Sequence, residues 1–340
     1  MVLGALILFV ALRGLAAARE RGQFYVAAAA MGAGVGIEYN VCMAVSVRSF
    51  TKHRGLAAGI VAAGYGAGTL PTVGLIERAI AHSGHGAALR ALAWALSLAC
   101  LCGAVFLPPP LSLPSAPEVA HADDKDAPTS PVPPAQLRLS QVLRRPSFYL
   151  LYVMLVLISS VGLVVTAQLV PLAHAYSVPE AALVLALQTD RVLNGVSRPL
   201  WGLVSDRLGR AHALGIAFGM QALVLLLWSA HLTETRAFVI FSALSTFAWG
   251  EIYSLFPALT ADLYGTEYVG QNYGAVYTGK AVASFIAGPG ASVVAANHSW
   301  AVILRLMAVA SAVDAVLALA LRRLLVCERD NAERPRPRVL

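Results

Sequence analysis

Arg198 and Lys280 are cations set inside stretches that are otherwise apolar, and groups of this kind in such places usually carry function. Arg198 falls about six or seven residues before one end of its stretch, and Lys280 about seven after the start of its own. At ~1.5 Å per helical residue both lie ~10 Å deep from the same face. Two like charges at matched depth repel unless an anion or a carboxylate sits between them. The alternative is that both long side chains reach back to the headgroups. Other groups fall near them in the sequence. Trp249 and Tyr253 share a helix face, Tyr273, Tyr277, Lys280 and Ser284 form a polar stripe at helical spacing, and Asp190 and Asn194 precede Arg198 by two turns and one turn. Ordinary packing accounts for the aromatics taken alone. A salt bridge to Arg191, Arg198 or Lys280 would account for Asp190. Glu38, Glu251 and Asp314 are further carboxylates in apolar stretches, each a candidate proton site or structural partner.

These residues need elements that can hold them in lipid. Hydrophobic residues make up 58% of the 340-residue chain and charged residues 13%, about half the charged share of a soluble domain. A span needs about 20 mostly apolar residues. Ten stretches qualify: 2–18, 24–46, 56–80, 89–107, 148–173, 180–204, 213–230, 237–263, 273–296 and 301–326. They are too long and continuous for the alternating strands of a lipid-facing barrel. The expected fold class is therefore an all-α membrane protein with about ten transmembrane helices, four plus six, in two bundles. Residues 1–107 form the first bundle, 108–146 a proline-rich linker, 147–326 the second bundle and 327–340 a tail. The linker carries Asp123, Asp124, Lys125 and Asp126 and buries too little apolar area to offset its ordering entropy. A signal-peptide reading of 2–18 lacks a positive segment before the apolar run.

Basic residues set the orientation. Arg48, Lys52, Arg54, Arg138, Arg144, Arg145, Arg207, Arg210, Arg322 and Arg323 all fall on one face of a ten-span topology, which is then the cytoplasmic one. Arg19, Arg21, Arg78, Arg90 and Arg236 fall on the other. The net charge of +7 is explained by these loops and calls for no nucleic acid. Cys42, Cys100, Cys102 and Cys327 lack metal or redox spacing and read as small core residues. The pairs Gly32/Gly36, Gly55/Gly59 and Gly64/Gly68 have the spacing that lets helix backbones approach in lipid, and no phosphate-loop context. Nothing in the sequence forms a nucleophile–base set or a metal cluster, so the expectation is a non-enzyme without cofactor.

The run from Gly202 through Asp206, Arg207 and Gly209 to Arg210 resembles the G-x-x-x-D-R-x-G-R loop of the major facilitator superfamily. Within it, three stretches resemble the oxalate/formate antiporter family: 194–199 with Arg198, 249–257 with Trp249 and Tyr253, and 277–280 with Tyr277 and Lys280. Residues 53–60 also resemble that family's loop into its fifth helix. The resemblance implies an anion site at Arg198 and Lys280, walled by Trp249, Tyr253, Tyr277, Tyr39 and Tyr65. It also implies a conformational latch at Gly202, Asp206, Arg207, Gly209 and Arg210. A facilitator has twelve helices. Matching 53–60 to the fifth places 2–18 at the third, so the family's first two helices are expected to be absent from this sequence.

The function implied is secondary transport of small carboxylate anions, oxalate/formate-like antiport by alternating access. A proton-coupled monocarboxylate carrier, with protons as partners at Glu38, Asp190 or Glu251, is one alternative. A truncated, non-transporting membrane protein is the other. The expected setting is the lipid bilayer of the plasma membrane, with the protein a monomer. A tag placed near Ala127 is expected to stay protected from external protease in intact cells. Cleavage there without permeabilisation overturns the orientation.

Overall fold

The computed structural model describes residues 1–68, 72–106 and 136–333, and among them every regular element is helical. In hydrocarbon each backbone N–H and C=O must be satisfied within the segment, which the helix does and an open strand does not. Among the described residues seven helical stretches are long and apolar enough to cross a membrane: Arg21–Ser49, Thr72–Phe106, Pro146–Ala175, Arg210–Ala230, Thr235–Tyr264, Val269–Asn297 and Trp300–Arg323. The protein is an integral, multi-pass membrane protein. The helix over 180–208 is as long, but Asp190, Arg191 and Arg198 reduce its apolar character.

The first compact unit comprises Met1–Thr51 and Gly64–Pro133. Its described helices are α1 (Val2–Ala17), α2 (Arg21–Ser49) and α4 (Val73–Phe106), with the end of α3 (Arg54–Ala67). Leu8 and Leu12 of α1 pack on Ala93 of α4, and Ser97 donates to the Ala5 carbonyl at 3.1 Å. The expected spans 56–80 and 89–107 are separated by Gly84, whose φ of 75° interrupts α4. A side chain would be strained there, so glycine makes the break.

The second unit comprises Lys52–Ala63 and Pro134–Leu340. Its helices are α5 (Leu139–Val142), α6 (Pro146–Ala175), α7 (Glu180–Leu208), α8 (Arg210–Ala230), α9 (Thr235–Trp249), α10 (Ile252–Tyr264), α11 (Val269–Tyr277), α12 (Gly279–Phe285), α13 (Ala291–Asn297) and α14 (Trp300–Glu333). A π-helical turn, Ile286–Gly290, joins α12 to α13. Helix α14 lies along α8, α7 along α9, and α6 against both α12 and α14. Trp228 and Phe238, fully buried with ring centroids 5.7 Å apart, sit in the α8–α9 core.

Contacts divide the chain differently from the bundles 1–107 and 147–326. The first part of α3 belongs with the second unit because glycines let its backbone touch α7. A Cβ on Gly59 would lie 2.5 Å from the Arg198 carbonyl oxygen, and one on Gly55 2.6 Å from that of Gly202. The other two glycine pairs do not act this way. Gly32, Gly36 and Gly64 meet nothing within 4 Å, whereas Gly34, not expected, lies where a Cβ would be 2.9 Å from the Leu8 nitrogen. Spacing identifies candidates, but only the residue at the crossing matters. Cys42 and Cys100 are half-buried and Cys102 is exposed, so the third is no core residue.

Residues 136–146 are structured, contrary to the expected flexible linker. Leu137 donates its N–H to the Tyr264 carbonyl at 2.9 Å, the Asn272 amide donates to the Leu137 carbonyl at 2.9 Å, and Val142 is fully buried. These bonds offset the ordering entropy that the composition left uncompensated. The linker over 108–135, with the acidic cluster and Ala127, lies outside the described residues, as do the tail beyond 333 and the Cys327 side chain.

Gly59→Ala is expected to destabilise the protein by about 1–3 kcal/mol through overpacking. Gly36→Ala should be neutral or stabilising by up to about 1 kcal/mol, since a helical glycine with free space is replaced. Thermal unfolding in detergent of both variants checks this. Equal melting temperatures would remove α3–α7 contact as the reason for Gly59.

Candidate functional site

Five of the seven expected anion-site residues converge within the second unit. Arg198 comes from the middle of α7, Trp249 ends α9, Tyr253 lies on the first turn of α10, Tyr277 ends α11 and Lys280 begins α12. The junctions between short helices set their positions. At the α9–α10 junction, Gly250 packs on Ser197, whose Cβ would be 2.8 Å from a Cβ at 250, so the junction seats beside Arg198. At the α11–α12 junction, a Cβ on Gly279 would lie 3.0 Å from Val156 Cγ2 of α6.

Arg198 is 3% exposed. Its Nε and Nη2 donate to Asn194 Oδ1 at 3.0 and 2.8 Å, and its Nη1 donates to the Ala62 carbonyl. Its guanidinium carbon stands 3.9 Å from the centroid of the Tyr253 ring. Lys280 Nζ donates to the Tyr253 hydroxyl and lies 3.4 Å from that of Tyr277. The ammonium is also 4.4 Å from the Tyr253 ring centroid, 5.5 Å from Tyr277 and 5.7 Å from Trp249. One tyrosine thus holds two cations, one by its ring face and the other by ring and hydroxyl together. Both charged heads turn onto this one ring. Among the described residues neither forms an ion pair with a carboxylate.

Cation–π contacts and neutral oxygens compensate a buried charge only in part, since a desolvated cation over an aromatic face gains about 2 kcal/mol. A guanidinium has five N–H donors in a fixed fork, and three are engaged here. The arrangement has capacity for a small anion with planar oxygens. Trp249 and Tyr253 meet edge to face, ring centroids 5.6 Å apart, and give it rigid walls. Tyr39 and Tyr65 lie in the first unit, where their rings pair at 5.2 Å, with Tyr39 buried and Tyr65 exposed.

The carboxylates fall elsewhere. Asp190, for which a salt bridge to Arg191, Arg198 or Lys280 was one reading, is buried beside Ser242 and Thr246 of α9 and makes none of those ion pairs among the described residues. Glu251 and Asp314 are fully buried, and neither oxygen of either has a hydrogen-bond partner. Glu38 is buried in the first unit over Gly4, where a Cβ would lie 2.5 Å from its Oε1.

The expected latch residues form a second cluster. Asp206 accepts the N–H groups of Gly55 and Leu56 at 3.0 and 2.9 Å, capping the α3 N-terminus where the helix dipole favours a negative charge. Arg210 joins Asp206 at 2.6 Å to Asp262 at 2.9 Å, and Arg54 closes on Asp262 at 2.6 Å. A side chain at Gly202 would strike the Gly55 backbone, and Gly209, with φ of 86°, makes the turn between α7 and α8. Arg207 is exposed and takes no part in this network. Asp262 and the role of Arg54 were not expected. The only signal was a carboxylate next to the last residue of the expected span 237–263, which by itself says nothing of its partners.

A model of the Major Facilitator Superfamily matches residues 1–189 and 164–339. The chain is 32% identical over 289 residues to an oxalate:formate antiporter of Oxalobacter formigenes, covering 84% of this chain and 66% of that protein. This chain therefore spans just under two thirds of the length of that relative. Among solved structures, the E. coli fucose:proton symporter FucP aligns with a TM-score of 0.66 at 14% identity, over 94% of this chain and 82% of that one. The human organic anion transporter MFSD10 aligns at 0.60 and 18% identity, over 95% and 76%. These likenesses show the fold.

Asp206→Asn keeps the shape but loses the charge that Arg210 and the two amides share. A loss of about 1.5–3 kcal/mol in stability is expected, the range for hydrogen bonds to a charged group. Arg207→Gln should leave thermal unfolding unchanged. Equal melting of both variants and wild type would remove the cap.

Proposed function

Because this chain belongs to the Major Facilitator Superfamily, we propose that it is a secondary carrier of small carboxylate anions working by alternating access. The observation that carries this reading is the pair of cations on one tyrosine with no carboxylate counter-ion among the described residues. An arriving carboxylate supplies the missing negative charge. Arg198 offers it two parallel N–H bonds, and Lys280 a compact point charge. A dianion engages both cations at once, a monoanion one at a time. The similar protein from Oxalobacter formigenes is named an oxalate:formate antiporter, and exchange of a dianion for a monoanion suits a site of this kind. Trp249 and Tyr277 form its further walls. The Asp206–Arg210–Asp262–Arg54 network serves as a latch between α3, α7 and α10, released when the carrier changes state.

Proton coupling to a monocarboxylate is the second reading. Glu251 and Asp314 favour it, as buried carboxylates without hydrogen-bond partners. Uptake of labelled oxalate, formate and lactate into proteoliposomes, with and without a pH gradient, separates the two. Exchange needs a counter-anion inside, whereas symport needs the gradient.

Arg198→Lys keeps the charge and loses the fork, so it is expected to lower uptake at least about tenfold, equivalent to about 1.4 kcal/mol. Lys280→Gln should reduce oxalate uptake more than formate uptake. Both are measured at matched membrane abundance. Wild-type oxalate and formate fluxes in both variants would overturn the anion site.

A further inference from the structure

Gly162 on α6 belongs to no expected site, yet it touches the site's largest wall. A Cβ there would lie 2.0 Å from Trp249 Cε2 and 2.1 Å from Cδ2 and Nε1, far inside contact distance of the indole. The glycine is buried, its helix is a central element of the second unit, and the indole is 3% exposed with no hydrogen-bond partner for Nε1. Among the described residues no hydrogen bond holds Nε1, so packing against α6 sets the depth of Trp249. The Thr166 hydroxyl donates to the Gly162 carbonyl at 2.9 Å, a bond of the kind that bends a helix locally. Lower on α6, Val156 and Tyr152 pack on Gly279, adjacent to Lys280, at 3.0 and 3.5 Å from where its Cβ would be. Helix α6 therefore backs both the tryptophan and the helix that carries the ammonium. The Tyr253 ring, with its centroid 5.6 Å away, and Lys280 Nζ at 5.7 Å also stand against the indole.

We infer that Gly162 is a specificity-determining residue: its missing side chain seats Trp249 in α6 and so sets the space for an anion between Trp249, Tyr253 and Lys280. This rests on the carboxylate site proposed above. A methyl group at 162 takes volume the indole occupies, and a close-packed interior cannot absorb it without movement of the ring. The larger substrate loses more than the smaller one. One methylene in a fitted pocket changes discrimination by about 10–200-fold, and the lower end applies where the ring can tilt.

The test measures oxalate and formate uptake in proteoliposomes for wild type, Gly162→Ala, Trp249→Phe and the double variant, each quantified in the vesicles. Gly162→Ala is expected to shift the oxalate-to-formate uptake ratio about tenfold toward formate. Trp249→Phe, with a smaller ring, returns the ratio in the double variant to within about threefold of wild type, the coupling of two residues in contact. Should Gly162→Ala fail to reach the membrane, the double variant is expected to recover both yield and ratio. An unchanged ratio in Gly162→Ala overturns the inference, and so does a double variant no nearer to wild type than Gly162→Ala. Absence of any carboxylate flux in wild type overturns the proposed carrier itself, and this inference with it.

Discussion

Two cations facing one aromatic ring repel each other, and out of water the repulsion is weakly screened. Arg198 and Lys280 are kept in this relation by the Tyr253 ring and hydroxyl, by Asn194 and by the Ala62 carbonyl, all neutral groups. Neutral partners hold the charges in place without cancelling them. A full carboxylate in the same position would form a closed salt bridge with little reason to admit an anion. The placement of Asp190 beside Ser242 and Thr246, away from any ion pair with these cations, matters for that reason.

Holding the cluster requires backbones nearer to their neighbours than side chains allow. Gly59 brings α3 onto α7 at Arg198, Gly250 brings the α9–α10 junction onto Ser197, Gly279 brings the α11–α12 junction onto α6, and Gly162 admits the indole. Lipid gives helices no hydrophobic reason to associate, so close packing of small residues carries much of the work. Arg198, Trp249 and the junction that carries Lys280 thus each have a glycine contact behind them. The site's geometry follows from helix packing as much as from the charged residues.

At the start of α3, one carboxylate does three things together. Asp206 caps two free N–H groups, opposes the positive end of the helix dipole and fixes Arg210, which reaches Asp262 and through it Arg54. The same helix supplies the Ala62 carbonyl to Arg198 two turns later. The Asp206 network and the Arg198 contact therefore share α3, the first at its N-terminus and the second at Ala62.

The amino-acid sequence determined the membrane setting, because long apolar runs have no other stable solvent, and it marked Arg198, Lys280 and the aromatics, because polar groups are costly in such runs. The spacing of Trp249 and Tyr253 was legible because a helix turn fixes which neighbours share a face, and the Asp206–Arg210 loop through its resemblance to a family motif. What the sequence could not decide was direction and partnership across helices. Snorkelling and convergence place the same residues at the same depth, and only tertiary packing turned both cations onto Tyr253. Three glycine pairs had equal spacing, but only Gly55 and Gly59 lie at a crossing, while Gly34 and Gly162 act without any such pattern. Asp262 joined the latch through contacts 52 and 208 residues away in the chain. Residues 136–146 gained order from α10 and α11, although their composition alone supplies too little burial to fold. Local periodicity is written in the chain one turn at a time, whereas which faces meet depends on how all the helices pack together.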